Sequence, residues 1–183
     1  MSVTSSMLTL ILCMTILWLI GVRNKLERYR IVIEESKRNV DIALEKRYDT
    51  ISEMLKIAKS YAKHEEKVFT ELVKLRQGLS LEETNDVMRA QEQALNDVFA
   101  VGEAYPEMRS SEQFLILQNE IAKENAALAA AKRIVNSNIS LFNQAVVAFP
   151  VSIVASLINI KQMTFLDIDL DHKKSLDQLD YTI

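Results

Sequence analysis

The sequence predicts an all-α protein with an N-terminal transmembrane helix followed by a helical bundle. Gly is 3 and Pro is 2 among 183 residues, so few turns are available for a sheet-rich fold. Apolar residues instead recur at steps of three and four, as they do on the buried face of a helix. We predict three long helices and a short fourth, arranged as an antiparallel, coiled-coil-like, up-and-down bundle over residues 24–165.

The N-terminal anchor is predicted from length and flanking charge. Residues 2–22 contain no charged residue, and as a helix they would extend about 31 Å, close to the hydrocarbon thickness of a bilayer. Trp18 lies near one end, where indoles favour the membrane interface. A cleaved signal peptide and a buried core helix are the alternatives, but nothing basic precedes the run and "LIGVRNKL" offers no convincing cleavage site. We therefore predict an uncleaved anchor over residues 1–23, in contact with lipid through residues 2–22.

The charges beside this run predict its orientation. Arg23, Lys25, Arg28 and Arg30 follow the run against a lone Glu27, whereas only the α-amine precedes it. Basic residues favour the cytoplasmic side, so a single-pass protein of the cell membrane with its N-terminus outside and its body in the cytoplasm is expected. A body on the outer surface is the alternative. The sole cysteine, Cys13, lies in the anchor, so no intrachain disulfide can form.

The first helix of the bundle is predicted from residue 24 to Gln77, because no Pro or Gly interrupts the pattern before Gly78. Its apolar stripe consists of Leu26, Tyr29, Ile33, Ser36, Val40, Leu44, Tyr48, Ile51, Leu55, Ala58, Ala62, Phe69, Leu72 and Leu75. The second helix is shorter than the first, so the stripe from Leu26 to Leu44 is expected to lack partners in its own chain. We therefore predict homo-oligomers formed through this juxtamembrane segment.

Two further long helices follow. Ser80 with Glu83 three residues later is a capping-box pattern that opens the second helix, which should end near Gly102. Ser110 or Ser111 should cap the third. The third helix carries a polar-interrupted seam: Phe114, Leu117, Ile121, Asn125, Leu128, Lys132, Val135, Ile139, Phe142, Val146 and Phe149.

The chain after the third helix is predicted to be short and polar. Pro150 ends the third helix and suits the first turn of a short fourth helix in "VSIVASLINIK". Residues 166–183 contain five Asp and little periodicity, and we expect them to form a flexible acidic tail.

In order and spacing, several short motifs resemble those of the LemA family, bacterial proteins with one N-terminal membrane helix and a cytoplasmic helical bundle. The motifs are Val40-Asp41-Ile42-Ala43-Leu44, Arg47-Tyr48-Asp49, Lys59-Ser60-Tyr61-Ala62, His64-Glu65, Tyr105-Pro106-Glu107, Leu117-Gln118, Asn136, Phe142-Asn143 and Phe149-Pro150. The resemblance implies the same fold but no agreed activity, although membrane-associated organising roles have been proposed for some members.

Departures from the family pattern affect three places, one of which is Val135, where the family usually has Tyr before Asn136. Ser52-Glu53 replaces the usual Pro-Asn, so a kink expected in relatives is in doubt. Asn125 stands where the family has Glu, and Lys132 where it has Arg, so a buried pair there is expected to be altered.

The candidate sites give no catalytic, cofactor-binding or metal residues. His64-Glu65-Glu66 lacks the second His of zinc hydrolases, and the only other histidine, His172, is in the tail. "DIDLDHKKSLDQ" begins like a calcium loop but has His172 and Gln178 where Gly and Glu are needed. Polar residues in a helical seam, here Asn125, Lys132 and Asn136, more often fix register than bind a ligand.

These observations favour a non-enzymatic, membrane-tethered interaction or scaffold protein without cofactors. The net charge is -3, with both signs mixed along the body and no basic stripe, which argues against nucleic acid as a partner. The protein partners cannot be named. The rival hypothesis is a ligand- or metal-binding sensor or enzyme whose site forms between helices.

Overall fold

The computed structural model describes residues 3–62 and 79–166, and within these ranges it contains helices and connecting turns but no β-strand. The helices are α1 (Val3–Tyr61), α2 (Leu81–Ala104), α3 (Pro106–Arg109), α4 (Glu112–Val147) and α5 (Val151–Leu157). The all-α fold class is therefore confirmed, with α3 as a four-residue addition to the predicted helices. The antiparallel, up-and-down order stays a prediction.

Helix α1 contains both the apolar N-terminal run and the first helix of the bundle. It continues without interruption through Ser52, where relatives are expected to kink. Residues 3–21 are exposed along their whole length, and the first buried residue is Val22. The most apolar 18-residue window of α1 has a mean hydropathy of 2.1 and is 6% buried. A run of this length that is left uncovered by its own chain weakly indicates a membrane anchor rather than a core helix.

The chain divides into two compact units, to which α1 and α4 both contribute. Unit 1 comprises Met1–Lys37 with Ile134–Thr164, and unit 2 comprises Arg38–Arg133 with Phe165–Ile183. The interior of unit 1 is built from apolar side chains of α1, α4 and α5. These side chains are Val22, Leu26, Ile33, Val135, Ile139, Phe142, Val146, Val154 and Ala155.

The core of unit 2 combines α1, α2 and the start of α4. It includes Ile51, Met54, Leu55, Ala58, Ala62, Ala94, Leu95, Val98, Val101, Met108, Phe114, Leu117 and Ile121. Gly102 lies within α2 beside this core, where an added Cβ would come 3.3 Å from Cε of Met108. The expectation that Gly102 ends the second helix is therefore off by two residues. The glycine allows the chain after α2 to pack closely against it.

Serine caps begin two of the helices, as predicted. The hydroxyl of Ser80 accepts a hydrogen bond from the backbone N–H of Glu83 at 3.2 Å, and the carboxylate of Glu83 accepts one from the N–H of Ser80 at 2.7 Å. This is the reciprocal capping box expected from the sequence. At the start of α4, the hydroxyl of Ser111 accepts from the N–H of Phe114 at 3.4 Å and donates to the carbonyl of Met108 at 2.7 Å. Ser111 rather than Ser110 is thus the cap.

The predicted seam of α4 is largely buried, with one error at its end. Its members from Phe114 to Val146 are buried except Asn125, which is half-buried. Phe149, in contrast, is exposed, because α4 ends at Val147 and the chain turns before α5. The helical period therefore no longer directs Phe149 inward.

The juxtamembrane stripe of α1 is covered within a single chain. Ile33, Val40 and Leu44 are at most 1% exposed, and Tyr29 is half-buried. The expectation that this stripe lacks partners in its own chain is wrong, because burial of the monomer already removes it from water. Homo-oligomerisation stays a prediction, but it no longer rests on these residues.

The segment after α5 is held by one side-chain amide. Asn143 donates from Nδ2 to the carbonyl oxygen of Met163 at 2.9 Å, and its Oδ1 accepts from the N–H of Met163 at 2.8 Å. Leu166, which the sequence assigns to the tail, is 1% exposed. The rest of the predicted tail, the calcium-like stretch and His172 lie outside the described residues. So do the predicted continuation of the first helix beyond residue 62 and the His64-Glu65-Glu66 stretch.

Candidate functional site: a polar layer in unit 2

The inner faces of α1, α2 and α4 carry a layer of polar side chains, and Arg47 is its most buried charge. Arg47 follows Val40 and Ala43 on the buried face of α1 at steps of three and four, so the helical period carries its side chain inward. The side chain is 3% exposed. A guanidinium at this depth is costly unless its charge is compensated and its N–H groups are hydrogen-bonded.

Two partners meet these requirements. Nε of Arg47 donates to Oδ1 of Asn125 on α4 at 2.8 Å. Nη2 of Arg47 forms an ion pair with Oε2 of Glu92 on α2. The side chain of Glu92 is 52% exposed, so the pair joins a buried cation to an anion at the edge of the unit. Arg47 thereby links three helices through one planar group, as its rigid fork of donors allows.

A second contact in the layer joins α1 to α4. The hydroxyl of Thr50 donates to Oε1 of Glu124 at 2.9 Å. Burial raises the pKa of the Glu124 carboxyl, the charge of Glu120 raises it further, and the hydrogen bond from Thr50 opposes the shift. The other carboxylate oxygen, Oε2, is buried and has no hydrogen-bond partner among the described residues.

Gln91 completes the layer from α2. Its Nε2 donates to the backbone carbonyl of Leu44 at 3.0 Å, and the residue is 0% exposed. Its Oε1 is also buried without a partner among the residues that the structure describes. A buried polar atom without a partner costs about 1–3 kcal/mol, so this layer is less well satisfied than an ordinary core.

The arrangement suits the positioning of helices better than chemistry. Its groups are bound to one another or to backbone, and hydrogen bonds between specific side chains favour one alignment of three helices over neighbouring ones. Over residues 3–62 and 79–166, no three His, Cys, Asp or Glu side chains come together to hold a metal ion. His64 and His172 lie outside these ranges, so the expectation that they bind no metal stays a prediction.

The three polar seam residues singled out from the sequence lie in different parts of the structure. Asn125 is in the layer, and its partner is Arg47, not the Lys132 of its own helix. Lys132 is buried in unit 2, and Asn136 is buried in unit 1. Asn125 and Lys132 therefore belong to unit 2, and Asn136 belongs to unit 1.

Sequence reasoning missed Arg47 as a core residue. Charged residues are normally exposed, so the helical pattern places Tyr48 in the predicted apolar stripe of α1. Tyr48 is only half-buried. The Arg47-Tyr48-Asp49 motif could have indicated this position. An exposed arginine gives no structural reason for such a motif to be shared with relatives, whereas a buried and paired arginine does.

The fold and this layer define a class: a helical bundle with an apolar N-terminal helix, whose interior is aligned by side-chain hydrogen bonds. The model of the LemA family matches residues 36–178. The chain belongs to the LemA family, as its motifs indicate. A search of curated proteins found no match.

Proposed function

We propose that the protein is a non-enzymatic, membrane-tethered interaction module that presents a helical bundle at the cytoplasmic face of the cell membrane. One observation carries the proposal. An exposed apolar run, residues 3–21, continues as a single helix into the folded body, so an anchored helix would hold that body beside the bilayer. Family membership supports a membrane-associated protein, and the polar layer supports a structural rather than a catalytic interior.

The orientation of the body follows from charge. Arg23, Lys25, Arg28 and Arg30 come directly after the exposed apolar run, and all four are exposed on α1. Such residues resist transfer across the membrane, so the N-terminus is outside and the body inside. Tethering confines copies of the protein to a plane, which raises their effective concentration and favours weak contacts between copies or with other membrane proteins.

Site-specific labelling tests the anchor and the orientation together. In a Cys13→Ser background, Ser2→Cys places a single thiol at the N-terminal end of the span and Asn96→Cys places one on the exposed face of α2. A membrane-impermeant maleimide added to intact spheroplasts should label the first variant only, and permeabilisation should expose the second. Labelling of Asn96→Cys in intact spheroplasts would show that the body is outside. Recovery of both variants in the soluble fraction would show that the run is no anchor.

Self-association is tested separately in native membranes. Crosslinking the full-length protein with a short amine-reactive reagent should give discrete oligomers if copies associate laterally. The matched control is Val40→Ala, a buried substitution that should lower stability without altering any contact between copies. A protein that stays monomeric at all expression levels contradicts self-association but leaves the tether intact.

A further inference from the structure

The turn between α4 and α5, together with α5 itself, carries several exposed apolar side chains. We call residues 147–158 the elbow. Its exposed apolar side chains are Val147, Phe149, Ile153, Leu157 and Ile158. Phe149 is 83% exposed and Leu157 is 78% exposed, so neither side chain belongs to the core of the protein. Several large apolar side chains exposed within one short segment indicate a surface that binds something apolar.

Helix α5 is apolar on both of its sides. Val154 and Ala155 are buried in unit 1, whereas Ile153 and Leu157 are exposed on the outer side. A helix at the surface of a soluble protein normally has a polar outer face. The outer face of α5 is therefore largely apolar, although Ser156 is also exposed there.

Hydrogen bonds fix the backbone at the end of the elbow and in the segment that follows it. Helices α4 and α5 meet at 93°. The N–H of Ile160 donates to the carbonyl of Ala155 at 2.8 Å and closes the end of α5, and Asn143 binds both backbone groups of Met163 beyond it. The exposed side chains are thus presented by a segment whose backbone is tied to the rest of unit 1.

The position of the elbow in the fold favours lipid as the partner of its apolar side chains. Unit 1 contains the elbow and also the apolar run of α1. Residues 3–21 of that run are exposed and burial begins at Val22, so the elbow belongs to the same compact body as the helix that leaves it for the membrane. The elbow and the surface proposed to contact lipid therefore belong to one compact unit.

Cationic groups suited to lipid phosphates lie in the same unit. Lys25 and Arg28 line a groove on α1 together with Asn24 and Tyr29. Both cations are exposed and form no hydrogen bond or ion pair with any residue in the described ranges. Basic residues next to an apolar surface are attracted to anionic lipid headgroups.

We propose that the elbow is a second membrane contact, which lies in the interfacial region of the bilayer that holds the anchor and buries Phe149 and Leu157 among lipid chains. It does not cross the bilayer, because the seven residues of α5 extend only about 10 Å against a hydrocarbon core of about 30 Å. The proposal rests on the membrane tether proposed above. It adds that the folded body contacts the membrane surface through the elbow, so that the protein has two membrane contacts and not the anchor helix alone.

Tryptophan fluorescence tests the elbow in the full-length protein. Trp18 is the sole tryptophan, so Phe149→Trp in a Trp18→Phe background reports on the elbow alone. The protein is reconstituted in vesicles of phosphatidylglycerol and phosphatidylethanolamine that carry bromine at shallow or deep positions of the acyl chain. We expect a blue-shifted emission that is quenched more strongly by shallow than by deep bromine.

Two matched variants make every outcome decisive. The unaltered protein reports on Trp18 in the anchor, and Leu115→Trp in the Trp18→Phe background reports on an exposed apolar site of unit 2 that should not be quenched. Quenching of Trp18 without quenching at position 149 overturns the elbow contact but keeps the tether. Failure of Trp18 itself to be quenched overturns the tether. An indole at position 149 that is protected from both bromine and aqueous acrylamide is covered by protein, either a second copy or another part of this chain, and this also overturns the proposal.

Discussion

Arg47 and Asn125 are 78 residues apart in sequence, and Nε of the first donates to Oδ1 of the second at 2.8 Å. The bond joins α1 to α4, and the ion pair of Arg47 with Glu92 adds α2. One buried guanidinium therefore specifies how three helices are aligned. Four substitutions test how strongly such contacts determine stability, and in each the free energy of unfolding is measured by urea titration of the full-length protein in mild detergent.

Arg47→Lys should lower the free energy of unfolding by about 1–3 kcal/mol. An ammonium retains the charge but cannot satisfy Asn125 and Glu92 at once, because the two bonds use separate nitrogens of a planar fork. Arg89→Lys is the matched control, since Arg89 is exposed on α2 and pairs with Asp86, three residues earlier on the same helix. The control should change stability by less than about 0.5 kcal/mol. Equal effects at both positions would contradict the role given to Arg47.

Gln91→Leu should stabilise the protein by about 1 kcal/mol, because it removes a buried oxygen without a partner. The carbonyl of Leu44 loses the bond from Gln91 but lies within α1, where the helix supplies a donor four residues on. Gln93→Leu, at an exposed position of the same helix, is the control and should be nearly neutral. A loss of stability in Gln91→Leu would show that the hydrogen bond from Nε2 to the carbonyl of Leu44 outweighs the cost of the unpartnered oxygen.

Glu124→Gln should stabilise the protein at neutral pH, and the gain should shrink as the pH falls. The folded pKa of Glu124 is raised by burial, so between the unfolded and folded pKa values the native state binds more protons than the unfolded state. The contribution of the wild-type residue is therefore greatest below the unfolded pKa and is lost as the pH rises through the folded one. Glutamine keeps an oxygen to accept from Thr50 and carries no charge.

The control for this titration is Glu53→Gln, which makes the same change of charge at an exposed position of α1. Unfolding curves are compared from pH 4 to pH 8. A difference between Glu124→Gln and wild type that is constant over this range, or that grows toward acid, would rule out the raised pKa as its origin.

Ser80→Ala should cost about 1 kcal/mol, because the N–H of Glu83 loses the hydroxyl that caps the helix. Combining it with Glu83→Ala should cost less than the sum of the single changes, since the two side chains cap one another's backbone. Ser60→Ala is the control, because that hydroxyl is exposed and donates only to the carbonyl of Ile57 within its own helix. Strict additivity would show that the two halves of the capping box act independently.

What the sequence predicted well was local. The start of α2, the Ser80–Glu83 box and the inward positions of α4 follow from short-range rules on caps and helical period. The same rules placed Leu26, Ile33, Val40 and Leu44 on one face of α1, and all four are buried. The exposed apolar run at the start of α1 also followed from a local property, the length of an uncharged stretch of sequence.

What could not be predicted depends on residues far apart in sequence. The coverage of the α1 stripe and the pairing of Arg47 with Asn125 arise only when the helices are brought together, and helical period does not say which helix faces which. The exposure of Phe149 depends on where α4 stops, two residues before the predicted end of its seam. Gly102 was interpreted as a helix terminator because glycine often plays that part, whereas here it serves close packing.

The amide of Asn143 occupies both hydrogen-bonding groups of a single backbone residue, Met163, much as a neighbouring strand would. Only a short side chain that carries a donor and an acceptor together can do this. Conversion of Asn143 to Asp, which is the product of spontaneous deamidation, would replace the donor with a second oxygen facing the carbonyl of Met163. Attraction would become repulsion at one of the two contacts. The attachment of the segment after α5 to α4 therefore depends on a single side-chain nitrogen atom.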